Sequence, residues 1–253
     1  MASLSKNKGK AKMNKHVILS VQRSLFTDGH VAQLLTRTTS NTKTGDLPTT
    51  FYIEWDMVED RPIFPTETVN NKNQETVCGD CPLTKDNGGG CYVITAFLAK
   101  YQLAVHYHDL SEEEQAMIRA ELAYKGVRLG GWGDPYATLE STLQFREEYP
   151  TKNHVGYTHH WMKENGKKLA KDCMASVHTI EEKQQANELG FRTYRTIEDE
   201  AHLEADEILC PHVENPMIQC KDCGLCAGNS IKAKNIAVFT HGSNKRKLLR
   251  LTA

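Results

Sequence analysis

Nothing in the 253 residues approaches the ~18 consecutive apolar positions of a membrane span. An excess of charge is lacking too. The chain sets 31 Lys and Arg against 32 Asp and Glu, a formal net charge of −1, so no global field draws it to nucleic acid or to a membrane surface. The basic N-terminus (Lys6, Lys8, Lys10, Lys12, Lys15) has no apolar stretch behind it and does not read as an export signal. There is no G-x-S-x-G elbow, no P-loop and no H-E-x-x-H, and no internal repeat beyond a strand–helix rhythm. These absences lead to the expectation of a soluble, cytoplasmic protein.

What is present is an ordinary core and an unusual number of thiols. A hydrophobic fraction of 39% supports one barrel-sized domain or two small ones. Eight cysteines are many for a chain without an export signal, and clustered cysteines in a reducing compartment more often hold metal than form disulfides. Cys78, Cys81 and Cys91 form one group, Cys210, Cys220, Cys223 and Cys226 another, and Cys173 stands alone.

Residues 1–15 are polar and basic, and read as a disordered arm. His16 to Ser20 and Thr49 to Trp55 look like strands, separated by a polar stretch with a turn signal at Asn41 to Asp46. Glu67 to Gly90 reads as loop, and Tyr92 to Tyr101 as a buried helix. Ser111, followed by three glutamates, caps a helix to about Tyr124 that Gly126 ends. Strands follow at Val127 to Leu129, His154 to Thr158, Met174 to His178, Phe191 to Tyr194, Glu207 to Leu209 and Asn235 to Phe239. Helices lie between them at Thr138 to Glu148, Asn165 to Lys171 and, capped by Thr179, Ile180 to Leu189. Alternation at this spacing means a parallel sheet. About six strands fall short of a full barrel, so the expected class is α/β, a partial (β/α) barrel with a mainly parallel sheet, and a doubly wound sheet is the rival. The expected layout is a single domain over 16–242, with a cysteine cluster segment at 208–230 and a basic tail at 243–253.

In such sheets sites gather where loops leave the strands. Those exits carry Gly130 to Pro135, His159 and His160, His178, Arg195, Cys210 to His212 and His241. Five of the eleven histidines stand there, which points to a polar rim over a site. Tyr157, His159, His178 and Arg195 are candidates for its substrate side, by strand-end position alone.

Cys220-x2-Cys223-x2-Cys226 places three soft thiolates in a compact loop, and Cys210 can add a fourth from a neighbouring strand end, a set suited to an iron–sulfur cluster. Zinc is the alternative, through Cys78-x2-Cys81 paired with Cys220-x2-Cys223. Cys78-x2-Cys81-x9-Cys91 offers three ligands without an obvious fourth, which would leave one iron open to a small molecule; alternatively these three join the later ones in a single structural site. Cys173 reads as a buried apolar-like thiol. His106 and His108 with Asp109 could ligate a metal but read as an exposed loop.

The order of cysteine loop, helix, strand and Gly-Gly-x-Gly-Asp-Pro turn resembles the start of a radical S-adenosylmethionine (SAM) enzyme. The resemblance implies a [4Fe-4S] cluster on Cys78, Cys81 and Cys91, SAM contacts from Gly130, Gly131 and Asp134, an auxiliary [4Fe-4S] cluster on Cys210, Cys220, Cys223 and Cys226, and an electron donor. The spacing here is C-x2-C-x9-C, where the superfamily's usual motif is C-x3-C-x2-C. Over residues 75 to 242 the chain is also similar to uncharacterised phage proteins that share Cys-Pro, Cys-x2-Cys-Gly-x-Cys and a terminal His-Gly, here Cys210-Pro211, Cys220 to Cys226 and His241-Gly242. That likeness implies the host cytoplasm and makes a nucleotide or nucleic-acid substrate an expectation.

A different class competes: a non-catalytic module, stabilised by Fe–S or zinc, that binds nucleic acid or protein. The basic arm and the tail at Lys245, Arg246, Lys247 and Arg250 suit phosphate contacts. The acidic run Glu198, Asp199, Glu200, Glu204, Asp206 and Glu207 argues against one continuous basic groove.

Overall fold

The computed structural model describes residues 14–96, 98, 104–151, 153–240 and 244–250. The remainder, including most of the basic arm, part of the expected helix at 92–101, and His241 with Gly242, lies outside the described residues.

The chain begins as an antiparallel meander, β1 (His16–Arg23), β2 (His30–Thr36) and β3 (Thr49–Asp56), with the short β4 (Arg61–Pro62) on β3. Two short helices, α1 (Pro65–Asn70) and α2 (Glu75–Cys78), lead into the first cysteine loop, and β5 (Val105–His106) lies parallel to β1. Then come α3 (Glu112–Lys125), β6 (Val127–Leu129), α4 (Leu139–Glu148), β7 (His154–Thr158), β8 (Met174–Val177), α5 (Ile180–Glu188), β9 (Thr193–Ile197) and β10 (Glu207–Leu209). The end of the chain holds α6 (Pro211–Glu214), α7 (Cys220–Cys223), β11 (Asn235–Phe239) and α8 (Lys245–Leu248).

One mixed sheet of eleven strands runs through all of this, in the order β10-β11-β9-β8-β7-β6-β3-β2-β1-β5 with β4 beside β3. Seven of the ten strand pairings are parallel. The expected α/β class with a mainly parallel sheet is therefore present. From β3 the order climbs through β6, β7, β8 and β9 to β11, and reverses only at the β10 edge. Among the described residues no pairing joins β10 to β5.

Both expected capping boxes are formed. The Ser111 hydroxyl accepts from the Glu114 N–H and the Thr179 hydroxyl from the Glu182 N–H, and each glutamate reaches back to its cap. Four readings need correction. The polar stretch before Thr49 contains β2, whose Val31, Ala32, Leu34 and Leu35 are all buried between two partner strands. The 67–90 stretch is not wholly loop, since α1 and α2 occupy parts of it. Residues 91–94 are not helical, and Tyr92 and Ile94 are exposed. The strand expected from Phe191 starts instead at Thr193, where the pairing with β8 begins.

Strand alternation sorts the sheet into two faces. On one, Val127, Leu129, Ala175 and Val177 pack with Ile118 and Leu122 of α3, Leu139 and Phe145 of α4 and Ala186 of α5. Cys173 is buried in that cluster. On the other, Val155, Met174, Ile236 and Val238 pack with Leu47, Cys210 and Cys226. The helices thus cover one face, and the cysteine loops meet the other.

Candidate functional site

The face away from the helices encloses a cavity of about 420 Å³, and period two selects its wall. Residue 128 of β6, residues 155 and 157 of β7, 176 of β8 and 194 and 196 of β9 line it. Continuing the same phase past the strand ends brings in His159 and His178. Volumes of this order suit a ligand of drug or cofactor size.

One end of the cavity is the first cysteine loop. Cys78, Cys81 and Cys91 all line it. The loop closes on itself: the Cys81 N–H donates to the Cys78 carbonyl (3.2 Å), Thr84 to Cys81 (3.2 Å) and Cys91 to Leu83 (2.9 Å). Its thiols receive backbone N–H groups, Cys78 from Gly133, Cys81 from Leu83 and Thr84, and Cys91 from Val93. Burial nevertheless dominates and raises all three, Cys81 to about 12. His160, fully buried at the exit of β7, donates Nε2–H to the Cys78 carbonyl at 2.7 Å and holds Nδ1 3.2 Å from the Asp80 carboxylate. Gly79 has φ +53°, and a Cβ there would lie 2.7 Å from both the His160 and Phe26 rings, so this close approach requires glycine.

The turn after β6 forms the adjoining wall. Gly130, Gly131, Trp132, Gly133 and Asp134 line the cavity, and the turn is hung on β3 by bonds from Gly131 N–H to Thr50 O and from Tyr52 N–H to Trp132 O, both 2.8 Å. At Gly133 (φ +72°) a Cβ would stand 2.6 Å from the Tyr52 carbonyl oxygen. The buried Asp134 carboxylate accepts from Tyr136 N–H (3.0 Å), Thr158 Oγ1 (2.7 Å) and His159 N–H (2.8 Å), and its own N–H donates to Val77 O (2.8 Å). Asp134 therefore ties the turn, the exit of β7 and the helix before Cys78 together.

The second cysteine set meets the cavity from the opposite side. Cys220 lines it, and Cys210, Cys220, Cys223 and Cys226 together line a smaller pocket next door. Distant side chains hold this loop. Asn153 donates Nδ2–H to the carbonyls of Cys220 (3.2 Å) and Lys221 (2.6 Å). Arg192 spans the carbonyls of Leu225 (2.8 Å), Gly228 (2.9 Å), Ala233 (2.9 Å) and Lys234. Gly224 makes the left-handed turn at the end of α7. Burial pushes the Cys226 thiol up to about 12, against a hydrogen bond from Tyr157 that favours the thiolate.

Of the substrate-side candidates, three line the cavity and one does not. Tyr157 stands between the two pockets with its ring 4.7 Å from that of Tyr194. His159 and His178 stack at 5.6 Å, and each has a buried Nε2 without a partner. Burial, with His178 and His160 nearby, lowers His159 to about 3; burial also lowers His178. Arg195 is one residue out of phase with Tyr194 and Thr196 and does not line the cavity. Its guanidinium holds the fully buried Glu207 carboxylate at 2.8 and 2.6 Å. Of the other rim histidines, His212 is bonded to the Ile218 carbonyl beside the smaller pocket. His108 and Asp109 form an exposed pair at 3.4 Å.

Three wall residues escaped the sequence reading or were not given a role by it: Arg128, Lys43 and Trp132. Phase could have found Arg128, since it sits two positions before Gly130 on a strand whose flanking residues face the helices. Lys43 comes from the loop before β3, and nothing local marks it.

Among the described residues no three His, Cys, Asp or Glu side chains are drawn together tightly enough to hold a single metal ion as they stand. No helix among them is long and apolar enough to cross a membrane. No known protein family, no curated protein and no solved structure matches this chain.

Proposed function

We propose that this chain is a radical-SAM-like iron–sulfur protein. Cys78, Cys81 and Cys91 would hold an open-site [4Fe-4S] cluster, and Cys210, Cys220, Cys223 and Cys226 a second cluster. The observation that carries the reading is the single cavity bordered by all three cysteines of the first set, by the glycine turn and by Cys220 of the second. The donor chemistry fits: soft thiols on a buried wall, with backbone N–H groups aimed at the sulfurs of the first set, are what thiolate–iron ligation needs. The strand order, rising in one direction with helices on one face and the cavity on the other, fits a partial (β/α) barrel.

A cluster held by Cys78, Cys81 and Cys91 would supply one-electron chemistry to bound SAM, and with it the means of hydrogen abstraction. The residues of this chain bind and orient. Gly130 and Gly131 bring the backbone of the turn to the cavity wall, and Asp134 keeps that turn against the first cysteine loop. His160 fixes the carbonyl between Cys78 and Gly79. Tyr157, Trp132 and Tyr194 add aromatic surface to the wall of this space.

The test is anaerobic reconstitution, then iron and sulfide counts and low-temperature EPR with and without SAM. About eight irons per chain and a spectrum shifted by SAM are expected. Zinc alone, or clusters indifferent to SAM, would overturn the reading in favour of a metal-stabilised binding module, which salt-dependent affinity for DNA or RNA would then identify.

A further inference from the structure

The well-buried arginine side chains of this protein are matched, and one half-buried arginine is not. Arg37 pairs with Glu121, Arg146 with Asp172 and Arg195 with Glu207, and Arg192 is spanned by carbonyls. Arg128 has a buried Nε without a partner, and among the described residues no carboxylate stands within ion-pair distance of it. The Cys220 thiol is within electrostatic reach of this guanidinium, and an anion in the cavity would meet it further. Arg128 lines the cavity, as does Lys43, whose ammonium donates to the Tyr194 hydroxyl at 3.2 Å. The one carboxylate on the wall is Asp134, already accepting three hydrogen bonds. Apart from its cysteines, the described cavity wall thus carries two cations against one carboxylate.

Three more unmatched atoms belong to residues of the same cavity, while Gln33, Glu54, Thr68, His154, Thr193 and Thr240 hold others elsewhere. Trp132 Nε1, His159 Nε2 and His178 Nε2 are buried ring nitrogens without partners, all on residues that line the same cavity. Trp132 and His178 are 4% and 3% exposed, so bulk water does not serve them. Tyr92, Tyr157 and Tyr194 add aromatic surface. Among the described residues, four of the ten unpaired buried side-chain atoms belong to residues around this one cavity, which points to a ligand there.

We propose that the cavity takes a small anionic ring compound of nucleotide size. Its anionic group lies on Arg128 and Lys43, and its ring lies among Trp132, His159 and His178. An arginine with a lysine suits a phosphate or carboxylate, and ring nitrogens with flat aromatic surface suit the edge and face of a heterocycle. The proposal rests on the function above only in calling this compound a substrate. Its binding is measured separately from any reaction.

The experiment is calorimetric titration of the iron-loaded protein, at saturating SAM, with uridine 5′-monophosphate, orotate and neutral uridine. At least one of the two charged probes is expected to bind at least about tenfold more tightly than uridine, the scale of one charged hydrogen bond. Which one does so distinguishes a phosphate from a carboxylate. Arg128→Gln should erase that gap and Arg128→Lys should retain part of it, while Lys168→Gln on the far surface leaves it intact. Equal binding of charged and neutral probes, no binding of any probe, or a gap that survives Arg128→Gln would overturn the proposal. If the charged probes bind only when SAM is absent, the anion seat belongs to SAM and the proposal also falls. A protein that holds no iron but still discriminates the probes would sink the function above and leave the anionic site standing.

Discussion

The two cysteine loops border one cavity but are held in different ways. The loop from Cys78 to Cys91 is fastened mostly by its own backbone, with bonds three to eight residues apart, and by His160 and Asp134 from beneath. The loop from Cys220 to Cys226 makes local backbone bonds of its own, at Asp222, Cys223 and Gly224, but is also held by Asn153 and Arg192, side chains that reach its carbonyls from 33 to 68 residues away. A loop of the first kind keeps its shape when any one side chain is lost. One of the second kind leaves several of its carbonyls to single distant residues.

The largest expected effect follows from that contrast. Arg192→Met removes a buried charged donor and leaves the carbonyls of Leu225, Gly228, Ala233 and Lys234 without it. A loss of about 3 kcal/mol or more in urea unfolding is expected from several unsatisfied buried groups. Iron analysis should show the second set emptied while the first still loads. Equal loss from both sets would mean that the two loops are one cooperative unit, and the comparison would break.

The same contrast explains what could be read from the sequence. Local signals were legible. The Ser111 and Thr179 caps name their helices, and β6, β7, β10 and β11 fall at their expected limits because short apolar runs end at glycine, cysteine or polar residues. The three-residue and four-residue cysteine sets were legible from spacing, and each lines a common pocket. Residues defined by distant partners were not. β2 becomes a strand because β1 and β3 flank it. Arg195, expected at a strand end, is the middle residue of β9 and faces Glu207, since one step along a strand changes the face. Arg128 carries its meaning only when the carboxylates that fail to meet it are known.

The wall shared by the two loops gives a middle-sized effect, through pH. His159 is held neutral by burial, with a folded value of about 3 against 6.5 in the unfolded chain. Below pH 6.5 the unfolded chain binds a proton that the folded one refuses, so folded stability is complete above that pH and falls as pH drops toward 3. At pH 5 the deficit is about 2 kcal/mol, from about 1.4 kcal/mol per pH unit. Urea titrations of His159→Asn between pH 7 and 4 should show a shallower acid limb than the parent. An unchanged limb would mean that His159 takes up its proton in the folded protein, and the cavity wall would then be wetter than its burial implies.

The smallest effect should come from the outer fastening of the first loop. Asp80 binds Lys163 at 2.7 Å and faces His160 at 3.2 Å, and these partners hold its carboxyl below the usual range. Its side chain is 67% exposed, so water screens the pair and its worth is under about 1 kcal/mol. Asp80→Asn should leave the backbone bonds at Cys81, Thr84 and Cys91 in place, together with the His160 bond to the Cys78 carbonyl. Thermal unfolding should shift by less than about 3 °C, and the first set should keep its iron through repeated gel filtration. A large loss of iron from Asp80→Asn alone would place the shape of this loop in a single side chain as well, and the distinction between the two loops would disappear.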